Sequence, residues 1–231
     1  MKFLPTTKEE MKSLGWDSID VLLISGDTYL DTSYNGSALV GKWLVEHGFK
    51  VGIIAQPEVD VPDDITRLGE PNLFFAISGG CVDSMVANYT ATKKRRQQDD
   101  FTPGGENNKR PDRAVLVYSN MIRRFFKGTT KKIVISGIES SLRRITHYDY
   151  WTNKLRKPIL FDAKADILSY GMGEMSMLQL ANALKNGEDW QNIRGLCYLS
   201  KEPREDYLSL PSHSDCLADK DKFIEAFHTF Y

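Results

Sequence analysis

Apolar runs of about five residues recur along the chain, separated by stretches long enough to form helices. VLLIS (Val21–Ser25), VGIIA (Val51–Ala55), LFFAIS (73–78), KIVIS (Lys132–Ser136), DILSY (166–170) and GLCYL (195–199) read as strands. They are nearly continuous in hydrophobicity, without an apolar–polar alternation. That suits strands covered on both faces, as in a parallel sheet with helices on either side. The stretches between them carry helical periodicity. Over 36–47, Leu39, Val40, Trp43 and Leu44 make one apolar stripe, with Asn35 placed to cap the first turn and Gly48 to end the last. Helices are also predicted over 113–126, over 174–184 with Met177, Leu178, Ala181 and Leu184 on one side, and over 219–231 with Phe223, Ile224 and Phe227 on one face. The pattern predicts a doubly wound, mostly parallel α/β sheet of Rossmann or flavodoxin type.

The alternation breaks between 90 and 112. This segment is polar, contains Pro103-Gly104-Gly105, and sets four cations in a row at Lys93, Lys94, Arg95 and Arg96. A loop this long in a compact domain is either functional or disordered, so it reads as a solvated linker or as a lid or docking segment. The expected organisation is an α/β domain over 1–199 followed by a linker and the start of a C-terminal extension over 200–231. The last helix meets the end of the sequence without a stop signal, so the natural chain is expected to continue.

Composition narrows the function. In 231 residues, 30 Lys and Arg oppose 31 Asp and Glu, giving a net charge of −1, and 41% of residues are hydrophobic. That balance argues against a nucleic-acid partner as the default, because phosphate binding usually comes with a basic excess; a lone basic run is weak evidence for one. The N-terminal residues lack the apolar core of a signal peptide, and no run approaches the ~18–20 apolar residues of a membrane span. A cytoplasmic protein with no membrane partner is expected. Cys81, Cys197 and Cys216 are odd in number and far apart, with neither C-x-x-C nor C-x-x-x-C-x-x-C spacing. They read as reduced structural thiols and give this chain no metal or cluster site of its own.

In an open α/β sheet, ligands bind beyond the carboxyl ends of the strands, so the residues just after each strand carry the chemistry. Those are Asp27, Tyr29 and Asp31 after the first strand, Gly79 and Gly80 after the third, Gly137 and Glu139 after the fourth, and Gly171, Gly173 and Glu174 after the fifth. Glycines there let a ligand approach the backbone and the helix N-termini that follow; each alone can also be a plain tight turn. With His147, from the aromatic cluster RRITHYDYW, these residues are the candidate ligand crevice, for binding rather than catalysis. His147 and its aromatic neighbours can equally be structural packing. No G-x-G-x-x-G follows the first strand and no P-loop occurs, which disfavours dehydrogenase and ATPase readings; no nucleophile elbow supports hydrolysis. Asp31-Thr32-Ser33-Tyr34-Asn35-Gly36 has the spacing of the D-x-H-x-x-G box of cobalamin-binding domains, with Ser33 at the histidine position. A hydroxyl is a poor cobalt ligand beside imidazole, so any corrinoid here is held without that histidine.

The strings SLRRITHYDYW, LFDAKADILSYGMGE, MVANYTATKKRR and DDFTPGGENNKRPDRAVLVYSN, with others from Phe3 to the end, resemble the N-terminal region of the YgiQ family of radical SAM proteins. The resemblance implies a cobalamin-binding-like Rossmannoid domain, in which Gly171-Met172-Gly173-Glu174 corresponds to a G-E-G-E turn. It also implies a downstream radical SAM barrel in the same chain as partner, whose C-x-x-x-C-x-x-C motif would hold a [4Fe–4S] cluster and use S-adenosylmethionine on an unknown substrate. On this reading the chain is the substrate- or cofactor-crevice domain of an enzyme. The rival reading is a non-catalytic interaction module with a degenerate cobalamin-binding-like fold.

Overall fold

Two packed layers of helices enclose a six-stranded sheet in the computed structural model, which describes residues 3–32 and 34–230. In chain order the first elements are α1 (Lys8–Ser13), β1 (Val21–Ser25), α2 (Gly36–Glu46), β2 (Val51–Ala55), α3 (Pro62–Thr66), β3 (Phe74–Ser78), α4 (Ser84–Asn88), α5 (Ala114–Phe125) and β4 (Lys132–Ser136). They continue as α6 (Gly137–Ser141), β5 (His147–Asp149), β6 (Lys154–Arg156), α7 (Ile159–Ala163), β7 (Ile167–Ser169), α8 (Gly173–Asn186), β8 (Leu196–Tyr198), α9 (His213–Ala218) and α10 (Lys220–Phe230). The sheet order is β2-β1-β3-β4-β7-β8, parallel except for the antiparallel edge strand β8. The chain reverses its direction of growth between β1 and β3, the topological switch point of a doubly wound fold.

Period-two geometry explains why the strand sequences are apolar throughout. On β1, Leu22 and Ile24 pack with Tyr118, Met121 and Ile122 of α5, while Val21 and Leu23 pack with Leu44 of α2 and Met177, Leu180 and Ala181 of α8. The same split holds on β3, with Phe75 and Ile77 on the first side and Phe74 and Ala76 on the second. The Asn35 side chain caps α2 by accepting from the Ala38 N–H at 3.0 Å, and α8 stops at left-handed Gly187. The sheet bears out the expected fold class.

Particular elements differ from the sequence expectation. The strand expected over 166–170 is the shorter β7, and the helix expected over 219–231 begins at Lys220 behind α9, which a Ser212–Asp215 capping box starts. The aromatic cluster folds into the β5–β6 hairpin, with His147 opposite Arg156.

The polar segment 90–112 is a strap folded across the ends of β1 and β2. Thr28 N–H donates to the Phe101 carbonyl at 2.8 Å, and Gln56 Nε2 donates to Thr102 Oγ1 at 2.7 Å. Its anchor is Arg110, buried with 0% side-chain exposure, which pairs with Asp27 at 2.5 Å and Asp99 at 3.3 Å and donates through Nε to the Gly26 carbonyl at 2.9 Å. Beneath it, Gly26 N–H donates to the Ser78 carbonyl at 2.9 Å, and a Cβ on Gly26 would collide with the carbonyl oxygen of Gly79. The switch point is therefore closed by backbone contact below and an ion-paired strap above.

Removing one partner of a buried ion pair strands the other, so Arg110→Ala should cost about 3–5 kcal/mol in urea denaturation. Arg95→Ala, which breaks the exposed 3.3 Å pair with Asp112, should cost under about 1 kcal/mol. Equal losses would refute Arg110 as the anchor.

Candidate functional site

On the α2/α8 side of the sheet, a cavity of about 300 Å³ lies between the N-terminal ends of those helices and the C-terminal ends of β1, β3 and β4. Its apolar floor is Leu23, Ala76 and Met177, with Leu39 and Val40 of α2. Above the floor, Ser25, Ser78 and Ser136 stand side by side, because the parallel register pairs Ser25 with Ser78 and Ser78 with Ser136. Each ends its strand on the face that carries Leu23, Ala76 and Val134 below. Gly36, Gly137, Gly171 and Gly173 line the mouth, and Met172 and Tyr34 are 82% and 85% exposed at its rim. The result is a cavity with an apolar floor and hydroxyls at its edge, entered past small residues.

Of the residues chosen from sequence, Asp27, Gly80, Gly137, Gly171, Gly173 and Glu174 share this lining. The rest go elsewhere, each for a visible reason. Tyr29 accepts the Leu4 N–H at 2.9 Å and ties down the N-terminal segment, and Asp31 pairs with Lys42 at 2.6 Å. Gly79 backs onto Glu139, whose carboxylate, only 2% exposed, accepts the N–H groups of Ser84 at 3.0 Å and Val115 at 3.3 Å and so caps the starts of α4 and α5. His147 lies in the hairpin, with Nδ1 3.1 Å from the Ile145 carbonyl, and burial pushes its pKa down. Ser33 lies outside the described residues. The sequence reading passed over the serines, although the dipeptide Ser-Gly at 25–26, 78–79 and 136–137 was a signal for them.

Two ionisable groups of the cavity, Asp27 and Cys81, are already engaged by their neighbours. Asp27 is occupied by Arg110 and by the Cys81 N–H at 2.6 Å. Burial, and then the Asp27 carboxylate beside it, pushes the Cys81 thiol up to about 12, so it stays protonated at neutral pH. Among the described residues, no group of three or more His, Cys, Asp or Glu could hold a metal ion.

The family model of the radical SAM N-terminal region matches residues 3–231. The chain belongs to that family. This radical SAM N-terminal region is 95% identical over 231 residues to a UPF0313 protein of Fusobacterium nucleatum subsp. nucleatum, covering 100% of this chain and 41% of that protein. It is 52% identical to one from Thermotoga neapolitana, covering 97% of the chain and 40% of the relative, and 49% identical to one from Methanocaldococcus jannaschii, covering 96% and 38%. The chain thus spans about two-fifths of the length of these relatives. The family placement agrees with the resemblance read from the sequence. Among solved structures, TsrM from Kitasatospora setae, a radical S-adenosylmethionine methyltransferase with cobalamin and a [4Fe–4S] cluster bound, matches with a TM-score of 0.53 at 17% identity, covering 80% of this chain and 28% of that one. A second TsrM structure, with tryptophan substrate and a SAM analog bound, matches at 0.52 and 16%, covering 78% of this chain and 28% of that one. At such identity the likeness is one of fold.

Within this radical SAM N-terminal region, Glu139 offers a test of its capping role. Burial, reinforced by the charge of Asp83, raises its pKa above the usual 4.5. The folded state then binds the proton more tightly, so the stability this group contributes is full below the unfolded value and falls as pH rises through the folded one. Glu139→Gln cannot titrate. The stability difference between wild type and variant, measured by urea denaturation, should shift against the wild type as pH rises above the usual carboxylate range; a difference independent of pH would contradict the assignment.

Proposed function

We propose that this chain is the ligand-holding domain of a radical SAM enzyme, with its cavity gripping one flat appendage of a cofactor or substrate over the reaction chamber of a downstream barrel. The observation that carries the reading is the in-register row Ser25, Ser78 and Ser136 above the floor of Leu23 and Ala76, closed on either side by the starts of α2 and α8. Apolar floors bind by removing ring surface from water, while hydroxyls and free N–H groups at helix starts fix orientation. The [4Fe–4S] cluster and S-adenosylmethionine would reside in the remaining part of the longer relatives and supply a carbon-centred radical. Among the described residues, no helix is long and apolar enough to cross a membrane.

Cobalamin is the cofactor this site fits best. At about 300 Å³ the cavity would hold only part of such a cofactor, with exposed Met172 and Tyr34 at its rim available to the remainder. Ser25, Ser78 and Ser136 would hold the appendage's polar edge, and Leu23, Ala76 and Met177 its faces. No histidine belongs to the lining among the described residues, so nothing there supplies a lower imidazole to cobalt.

Titration with hydroxocobalamin should give a saturable change in its absorbance spectrum. A Cβ on Gly173 would sit 3.7 Å from Ser169 Oγ and 3.8 Å from Met177 Cγ, ordinary contacts, so the backbone there accepts the start of a side chain at the cavity mouth. Gly173→Leu should therefore weaken binding about tenfold or more, equivalent to roughly 1.4 kcal/mol, with an unchanged thermal midpoint. An unaltered spectrum with folded wild-type chain would remove the corrinoid and favour the non-catalytic interaction module.

A further inference from the structure

The strap and the β5–β6 hairpin, which look unrelated in sequence, meet along a second and larger groove of about 660 Å³ on the outside of α4 and α6. We propose that this groove binds single-stranded nucleic acid, stacking bases on its aromatic rings and neutralising phosphates with the basic run of the strap. Occupancy of the groove does not require the cavity between α2 and α8 to hold anything.

The rings come first. Tyr89 and Trp151 lie 5.1 Å apart between centroids, and Tyr150 and Trp151 lie 5.6 Å apart, edge to face. Tyr148 and Tyr150 are 51% and 49% exposed, although aromatic area of this size is normally buried. They are held rigid while exposed: Tyr150 Oη donates to the Ala91 carbonyl at 2.8 Å, and Tyr148 Oη donates to Asn153 Oδ1 at 2.6 Å. Flat faces fixed in position, with their polar ends already satisfied, suit a flat partner, and every nucleobase offers one.

The charges come second. Both carboxylates that line the groove are already neutralised, Asp83 by Arg143 and Asp149 by Arg113 at 2.8 Å. Arg95, Lys109 and Arg110 of the strap are paired, but among the described residues Lys93, Lys94 and Arg96 enter no ion pair. Lys93 adopts a left-handed backbone with φ 62°, and its ammonium lies 4.6 Å from the Tyr150 ring centroid and donates to the Tyr150 and Trp151 carbonyls at 3.1 and 3.3 Å. Backbone strain in a residue other than glycine that plants a cation on an exposed aromatic platform is the kind found at binding sites. Arg96 is fixed through Nε on the Val86 and Tyr89 carbonyls, each at 3.1 Å, which leaves its terminal nitrogens free for a phosphate. The unbalanced charge around the rings is thus positive, complementary to a phosphodiester chain. The chain's net charge of −1 conceals this because its acidic residues lie elsewhere or are paired. An acidic protein segment would meet the same cations and leave the ring faces unused.

The test is fluorescence anisotropy with labelled oligouridylate and oligothymidylate of about eight nucleotides, on this chain and on the full-length protein. Saturable binding that weakens steeply with salt is expected; the two oligonucleotides separate a ribose from a deoxyribose preference, and binding of either supports the proposal. Tyr150→Ala and Trp151→Ala should each weaken binding about fivefold to hundredfold, and Trp151→Phe should restore most of it. Lys94→Gln, at an exposed position where folding is not at stake, should lower the slope of log affinity against log salt by about one. The proposal is overturned by absent binding at low salt, by binding that neither Lys94→Gln nor the aromatic variants alter, or by poly-glutamate competing as well as the oligonucleotides, which would make an acidic protein the occupant.

Discussion

A guanidinium with no solvent exposure holds together the edge of the sheet where ligands bind in folds of this kind. Arg110 joins the strap to Asp27 and to the Gly26 carbonyl at the reversal point between β1 and β3. Taking a charge out of water costs several kcal/mol, and only close pairing with two carboxylates and a carbonyl offsets it. The strap is therefore not free to lift away without exposing uncompensated charge at Asp27 and Asp99. Below it, the contact between Gly26 and the Ser78–Gly79 backbone leaves no room for any side chain, let alone a ligand.

That closure displaces the open site sideways. The cavity lies on the α2/α8 face, where strand-ending serines and helix starts converge, and Asp27 reaches it with its carboxylate already engaged. Glu139 and Gly79, on the other side of the same turns, serve the buried starts of α4 and α5. One set of βα turns thus builds a core on one side and a slot on the other, and the parity of each strand residue decides which side it serves.

Much of the fold was legible because parallel strands buried on both faces and amphipathic helices each leave a periodic trace, from VLLIS to KIVIS and over 36–47. The short α3, α4, α6 and α7 left none, since five residues hold barely more than one helical turn. The strap was legible as an interruption but not as an anchor: nothing local marks Arg110 as buried, because its partner Asp27 lies 83 residues away. The glycines of the candidate site were found from their place after strands. The serines before them were passed over, since only the register across β1, β3 and β4 shows them to be neighbours. His147 reads as a crevice residue in a run of polar and aromatic residues, and the hairpin carries that run outwards, away from the cavity.

On the proposed reading, a ligand enters between α2 and α8 and leaves the Arg110 closure undisturbed. Hydrogen–deuterium exchange with and without hydroxocobalamin tests it directly, because amides that accept or cover a ligand slow their exchange. Protection should concentrate over Gly36 to Val40 and Gly171 to Met177, with the amides from Asp99 to Arg110 unchanged. Protection confined to the strap and to the turn after β1, with α2 and α8 unaffected, would contradict it.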